Sequence, residues 1–370
     1  MGYDDNVRRL TVLNPQQTSS TLRWAKIDGV VSIPPEIPPA AIQSDGLHQW
    51  GGVATLRYAD AKHLWSLRYG LGGKVFFQYH DESSIVQRLE TQYYLRLHPR
   101  FLIGLSAQGA DSRRINESRE YSFAVAQAVV MWFAPENWLF TLRGGYNAFS
   151  FRHLERFQDV HLEGLDDNPP FGKAIRISDG QRFSYHGDTY HLSVRKQFHR
   201  MFRAQLSYDL SRFFYAFRFD PPTNSDTSPL PLLIPRSDLS HQIGLSLRFL
   251  YVVLIELSYH FELLDSRSYG ESFLGHRVQF LSAIELPWRI TLVLQAQLLF
   301  RSFRNGLTLN TLLQQADNDA NLTSATIRLS RPIAGPLHLD LRYSFYTNRF
   351  SAGGVQYLRN LFLAGLSLRF

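Results

Sequence analysis

Leu337-His-Leu-Asp-Leu-Arg-Tyr-Ser-Phe345 alternates without a break. In an extended chain, Leu337, Leu339, Leu341, Tyr343 and Phe345 fall on one face, and His338, Asp340, Arg342 and Ser344 on the other. A period of two is the signature of a strand. What decides the fold is the contrast between the faces: one is uniformly large and apolar, the other is made of hydrogen-bonding groups. The contrast recurs in Ile290 to Arg301, where Ile290, Leu292, Leu294, Ala296, Leu298 and Phe300 oppose Gln295, Gln297 and Arg301. It recurs again in Phe202 to Leu210, where Phe202, Ala204, Leu206, Tyr208 and Leu210 oppose Arg203, Gln205, Ser207 and Asp209. A soluble sheet buries its apolar face in a core. A membrane-spanning barrel turns that face to lipid and lines its lumen with the polar one. Leu206, Leu292, Leu294, Leu339, Leu341 and Leu368 are therefore expected to touch lipid.

Composition agrees. The longest apolar runs, such as Phe249 to Leu257, fall far short of the ~20 residues a helix needs to cross a bilayer. A strand needs only ~9–11, and a closed barrel satisfies its backbone between strands. Cysteine is absent, which excludes disulfides, thiol catalysis and cysteine metal sites. Its absence also suits a chain that crosses an oxidising compartment unfolded. The formal charge is +7, and 34 of the 39 basic side chains are arginine, the residue that forks onto carboxylate or phosphate. The stretch Met1-Gly-Tyr-Asp-Asp5 has no basic, then apolar, leader, so a signal peptide, and with it any upstream domain, is expected to lie outside this sequence.

Two kinds of connection take turns along the chain. Short ones fall at Asp60-Ala-Lys62, His98-Pro-Arg100, Ala134-Pro-Glu-Asn137, His199-Arg-Met201, Leu250-Tyr251, Pro287-Trp288 and Pro332 to Pro336. Longer, more polar ones fall at 80–84, 111–118, 153–182, 219–236, 265–270, 304–318 and 351–354. Short turns on one rim and long loops on the other are the pattern of bacterial outer-membrane barrels. Strands are expected at 47–58, 62–79, 85–97, 101–112, 118–133, 138–152, 183–198, 202–218, 237–249, 252–264, 271–286, 289–303, 319–331, 337–350 and 355–370. For the last strand to end on the short-turn side, one more must precede the first. Asn6 to Leu13 is the leading candidate and Thr21 to Val31 the second. The fold class is thus all-β, a transmembrane antiparallel β-barrel of about sixteen strands, with residues 1–370 forming a single barrel. Residues 14–46, with the proline-rich Ile33-Pro-Pro-Glu-Ile-Pro-Pro39, are a loop after the first strand, because proline donates nothing to a ladder. Trp138, Trp288, Phe133, Tyr251 and Phe370 gather near strand ends, as interfacial girdles do.

The chain closes on Leu366-Ser-Leu-Arg-Phe370, with Leu366, Leu368 and Phe370 on one face. This tail resembles the signal by which outer-membrane β-barrels are recognised by the barrel-assembly machinery. Gly2-Tyr-Asp-Asp-Asn-Val7 resembles the Gly-Tyr-Asp-Ser-Asn-Val opening of certain outer-membrane barrels that follow a periplasmic tetratricopeptide domain, departing from it at Asp5. The chain is in this respect similar to the barrels of tetratricopeptide-linked polysaccharide-export porins, such as those for poly-N-acetylglucosamine and cellulose, and to the smaller barrels of surface-lipoprotein assembly modifiers. The resemblance implies an outer-membrane location, contact with lipid and lipopolysaccharide, and a tetratricopeptide domain or export partner on the periplasmic side. No tetratricopeptide repeat is visible in the chain itself.

Inward positions carry arginine repeatedly: Arg57, Arg68, Arg96, Arg143, Arg195, Arg203, Arg248, Arg301, Arg328, Arg342 and Arg369. Inward acids are fewer: Glu90, Asp209, Glu256, Glu285 and Asp340. Such a lumen concentrates anions, because low-dielectric walls focus the field of the lining charges. The competing reading pairs these arginines with the acids and with tyrosine hydroxyls to brace a filled barrel. Tyr94 and Tyr346, also inward, offer faces on which sugars stack. Catalysis has less support. His80-Asp-Glu82, His153 with Glu155, His161 with Glu163, and His186-Gly-Asp188 could each orient a general base, but no Gly-x-Ser-x-Gly elbow or His-Glu-x-x-His pair appears. The runs Asp166-Asp-Asn168 and Asp317 to Asn321 lack the spacing of a calcium loop. No catalytic residue, metal, cofactor or nucleic-acid partner is expected. The expected function is an outer-membrane channel, most specifically for polysaccharide export or diffusion of anionic solutes. The alternatives are a plugged scaffold barrel of a secretion or surface-motility machine, and an outer-membrane hydrolase with a loop-borne site.

Overall fold

The computed structural model describes residues 2–4, 12–13, 45–78, 83–114, 120–151, 184–215, 218–219, 231–232, 235–267, 272–304, 323–347, 355–356 and 358–368. Sixteen strands form one closed ring. In chain order they are β1 (Gly2–Asp4), β2 (Asp45–Ala59), β3 (His63–Phe76), β4 (Ser84–His98), β5 (Phe101–Arg114), β6 (Tyr121–Ala134), β7 (Trp138–Phe151) and β8 (Tyr185–His199). There follow β9 (Phe202–Tyr215), β10 (Arg236–Leu250), β11 (Val253–Ser266), β12 (Phe273–Leu286), β13 (Ile290–Phe303), β14 (Thr323–Ala334), β15 (Leu337–Thr347) and β16 (Leu358–Leu368). Each pairs antiparallel with its sequence neighbour, and β1 joins β16 to β2.

The connections at 60–62, 99–100, 135–137, 200–201, 251–252, 287–289 and 335–336 all lie on one rim, as their sequence spacing predicts. Several reverse through left-handed backbone: Glu136 and Asn137 (φ 56° and 64°), Trp288 and Arg289 (φ 61° and 58°), and Gly335 (φ 52°). The turn at Asp60 is held differently. Its carboxylate accepts the amides of His63 at 2.6 Å and Lys62 at 2.7 Å, and the Tyr58 hydroxyl at 3.0 Å. These bonds, the two backbone amides foremost, keep the Asp60 carboxyl below the usual carboxylate range. Its support for the turn is complete above the ordinary carboxylate pKa and is lost as pH falls through the lowered one.

The first strand departs from expectation. Gly2, Tyr3 and Asp4, ahead of the expected Asn6 to Leu13, close the ring, opposite Leu363, Phe362 and Leu361 on one side and Leu47, Gly46 and Asp45 on the other. Val12–Leu13 pairs outside the barrel with Val355–Gln356. The adjacent Arg8 and Arg9 explain why Asn6 to Leu13 is a poor wall strand: in either register one of them would face lipid, at about 2–4 kcal/mol near the midplane. Residues 21–31, like most of the expected loop 14–46, fall outside the described residues, whereas Asp45 and Gly46 belong to β2.

The two faces separate as the alternation requires. Leu206 stands in register with Val194 and Leu245, and Leu245 with Tyr259. Leu206 is 55% exposed, and Leu142, Leu192, Leu298, Ile327, Leu339, Leu366 and Leu368 are exposed likewise. Arg203, Gln205, Ser207 and Asp209 take the opposite side of the same strand. Three outward histidines are masked by tyrosine hydroxyls on neighbouring strands: His63 by Tyr93 at 2.8 Å, His241 by Tyr208 at 2.8 Å and His276 by Tyr259 at 2.7 Å. Each bond spares a lipid-facing imidazole the cost of an unmet polar group in hydrocarbon. Leu298 lies near the middle of β13 on this face. Leu298→Arg should destabilise the barrel by about 2–4 kcal/mol in bilayers, measured by denaturant unfolding, whereas inward Gln297→Arg should cost far less.

Candidate functional site

The lumen is the candidate site. The described arginines of the expected set share the strand face that carries Gln205, Gln297 and Asp340, and with Arg236 and Arg277 on the same face they divide in two. The first group braces the wall. Arg328 donates to Asp340 at 2.8 Å, and Asp340 also accepts the Ser367 hydroxyl. Arg342 donates to Ser344 at 3.0 Å and to the Tyr346 hydroxyl at 3.3 Å. Arg301 and Arg277 share Glu262, at 3.5 and 2.6 Å, and Arg301 lies 4.6 Å from the centre of the Phe273 ring. Arg236 is bound to Asp238, which also accepts Ser266 at 2.6 Å.

The second group makes no ion pair with a described residue: Arg57, Arg68, Arg96, Arg143, Arg195, Arg203 and Arg248. Arg203 and Arg248 stand directly opposite one another, and Arg195 stands opposite Gln205 one step along the same wall. Like charges so placed repel. Glu256 lies opposite Arg248, and Glu90 opposite Arg68, yet neither pair closes to ion-pair distance. Glu90 instead accepts an amide from Gln92 at 2.9 Å. Arg57, Arg68 and Arg96 are exposed and belong to β2, β3 and β4; Arg195, Arg203 and Arg248 belong to β8, β9 and β10. In the ring these groups lie on opposite walls. Arg57, Arg96, Arg195, Arg203 and Arg248 all lie within a few residues of the short-turn rim. Val53, on the same face of β2 as Arg57 and four residues further from the rim, is 61% exposed, so water reaches this wall. At the long-loop end inward residues are buried instead, among them Asp45, Leu47, Phe76, Asp238, Leu299 and Arg359.

Other predicted residues fall as follows. Tyr94 lies flat against the wall over Gly104, where a Cβ would meet its ring. Tyr346 is 8% exposed, receives Arg342 and has Arg359 over its ring at 5.6 Å; it is a packed brace and presents no open stacking face. Leu366 and Leu368 face outward, while Arg369 and Phe370 lie outside the described residues. So do His80, His153, Glu155, His161 and Glu163. His186 and Asp188 are described and point outward, with His186 stacked on Phe214 at 5.5 Å, away from the lumen.

The sequence reading missed Arg88, Arg236, Arg277, Arg359, Asp45, Asp238 and Glu262 on the inward face. For Glu262 the signal was present, since Glu256, Ser258, His260 and Glu262 share one parity. It also missed a carboxylate–imidazole pair inside the barrel. His191 Nδ1 is 2.6 Å from Asp209 Oδ1, and Arg143, whose Nε is buried without a hydrogen-bond partner, stands opposite His191. Asp209 orients the ring, and among the described residues His191 bonds no side-chain hydroxyl. Among the described residues no cluster of three His, Asp or Glu side chains would hold a metal ion.

No family model and no curated protein matches the chain. Solved structures similar to it are outer-membrane barrels. A bacterial polysaccharide outer membrane secretin is 13% identical, with 87% of this chain and 91% of that one covered and a TM-score of 0.40. The toluene transporter TodX of Pseudomonas putida is 9% identical, with 88% of each chain covered and a TM-score of 0.38. BamA of Haemophilus ducreyi is 11% identical, covering 87% of this chain and 70% of that one at a TM-score of 0.38. These likenesses concern architecture alone.

The shared carboxylate gives a direct test of the bracing group. Glu262→Gln should destabilise the barrel by about 3–5 kcal/mol, because Arg277 and Arg301 keep their charge in a buried site. The double variant Glu262→Gln/Arg277→Met should recover part of that loss in the same unfolding measurement.

Proposed function

We propose that this chain is an outer-membrane channel for anionic or sugar-like polymers, most specifically one that exports a polysaccharide. The observation that carries the reading is the pair Arg203 and Arg248, held opposite each other without a counter-charge at ion-pair distance, and faced across the lumen by Arg57, Arg68 and Arg96. Folding does not require cations so placed, and their repulsion costs stability. An anion entering between them relieves it. The remaining inward wall supplies hydroxyl and amide groups already ordered into ladders: Ser258 to Gln279 at 3.3 Å, Gln279 to Gln297 at 2.8 Å and Thr326 to Ser344 at 2.9 Å. A chain sliding past them would exchange many weak contacts and meet no single deep well, as conduction requires.

A second reading has its own support. The buried inward residues at the long-loop end, Asp45, Leu47, Asp238 and Arg359, suit a barrel closed at that end and used as a scaffold. Conductance separates the two. In planar bilayers the channel should pass current and prefer anions. Raising the salt from 0.1 to 1 M should weaken that preference, as the screening length falls from ~10 to ~3 Å. Arg203→Gln with Arg248→Gln should move the reversal potential in a salt gradient toward cations. A silent barrel would favour the scaffold.

A further inference from the structure

The outer wall carries a concavity of about 510 Å³ at the short-turn rim, on the lipid side of β6, β7 and β8. Trp132, Phe140, Trp138 and Val194 form its walls and Pro135 and Glu136 its rim. Trp132 and Phe140 stack at 5.1 Å, and Trp138 and Phe140 at 6.3 Å. Lys196 is the one lysine on the lipid face of a described strand. Its ammonium lies 4.5 Å from the centre of the Trp138 ring and 3.3 Å from Glu136 Oε2. The two charges differ in access: the Lys196 side chain is 18% exposed and that of Glu136 is 80% exposed.

We propose that this groove binds a phospholipid with an ethanolamine-type headgroup. Its apolar walls face hydrocarbon and take an acyl chain. Its mouth lies at headgroup level, where aromatic girdles sit, and presents one cation and one anion side by side. A zwitterion matches both: the phosphate takes Lys196, and the primary ammonium donates to Glu136 and lies against the indole faces. A glycerol headgroup, with net negative charge and no ammonium, would bring hydroxyls but no counter-charge to Glu136. A quaternary ammonium has no N–H to donate to it. The inference rests on the membrane placement of the barrel and is independent of what the lumen carries, so the conductance result leaves it untouched.

The test uses the purified full chain, delipidated and offered equal amounts of phosphatidylethanolamine, phosphatidylglycerol and phosphatidylcholine, with bound lipid read by native mass spectrometry. Phosphatidylethanolamine should dominate the adducts. Lys196→Gln should lower its retention about tenfold, the worth of one charged hydrogen bond. Glu136→Gln should bring it down to the level of phosphatidylcholine. Trp138→Ala should empty the groove, with Trp138→Phe as the milder variant if heat-modifiable mobility shows the alanine form misfolded. Trp65→Ala, a girdle change elsewhere on the rim, should alter nothing. Equal retention of the three lipids, or a loss in Trp65→Ala matching that in Trp138→Ala, would overturn the proposal in favour of an ordinary lipid annulus.

Discussion

A backbone amide in hydrocarbon has no water to bond, and the rest of this structure depends on that constraint. Every strand in the wall must find its partners in the next strand, so the sheet must meet itself. Closure leaves no strand edge unpaired, and alternation then fixes what each residue sees. Positions such as Leu206 and Leu298 look at lipid, while Gln205 and Gln297, one residue away, look at the lumen. Three of the outward imidazoles, His63, His241 and His276, each meet a tyrosine hydroxyl from the adjoining strand.

Inside the barrel the same arginine chemistry serves two ends. Where a carboxylate or hydroxyl lies within reach, as for Arg328, Arg277 and Arg342, the guanidinium ties neighbouring strands together and its charge is spent locally. Where none closes to ion-pair distance, as for Arg203 and Arg248, the charge is left without a partner among the described residues. The bracing set occupies β10 to β15, and the unsatisfied set occupies β2 to β4 and β7 to β10. The lumen is therefore uneven in charge around its circumference as well as along its axis, and low-dielectric walls on both sides make that unevenness felt across the opening.

The strands, their faces and the sorting of turns were legible because a period of two needs only local sequence. The closing strand was not, because Gly2–Asp4 is three residues long and too short to display any period; only its likeness to a known opening drew attention to it. The face of each arginine was legible, but its partner was not. Pairing depends on diagonal neighbours such as Glu262 with Arg277, whose strands are adjacent but whose side chains must lean along the wall to meet. Tyr346 failed as a stacking platform for the same reason: parity turned it inward, while packing under Arg359 closed its face.

The ring is shut by three register pairs on either side of β1, where every other junction has at least seven. All the other junctions join strands consecutive along the chain, through short turns on one rim and longer connections on the other. Closing β1 onto β16 pairs strands about 360 residues apart, and the loop-closure entropy of that contact must be met at one stroke. Until then the protein is a curved ribbon with two raw edges; afterwards it is a ring with none. The smallest set of contacts in the wall is thus the one on which its having no edge depends.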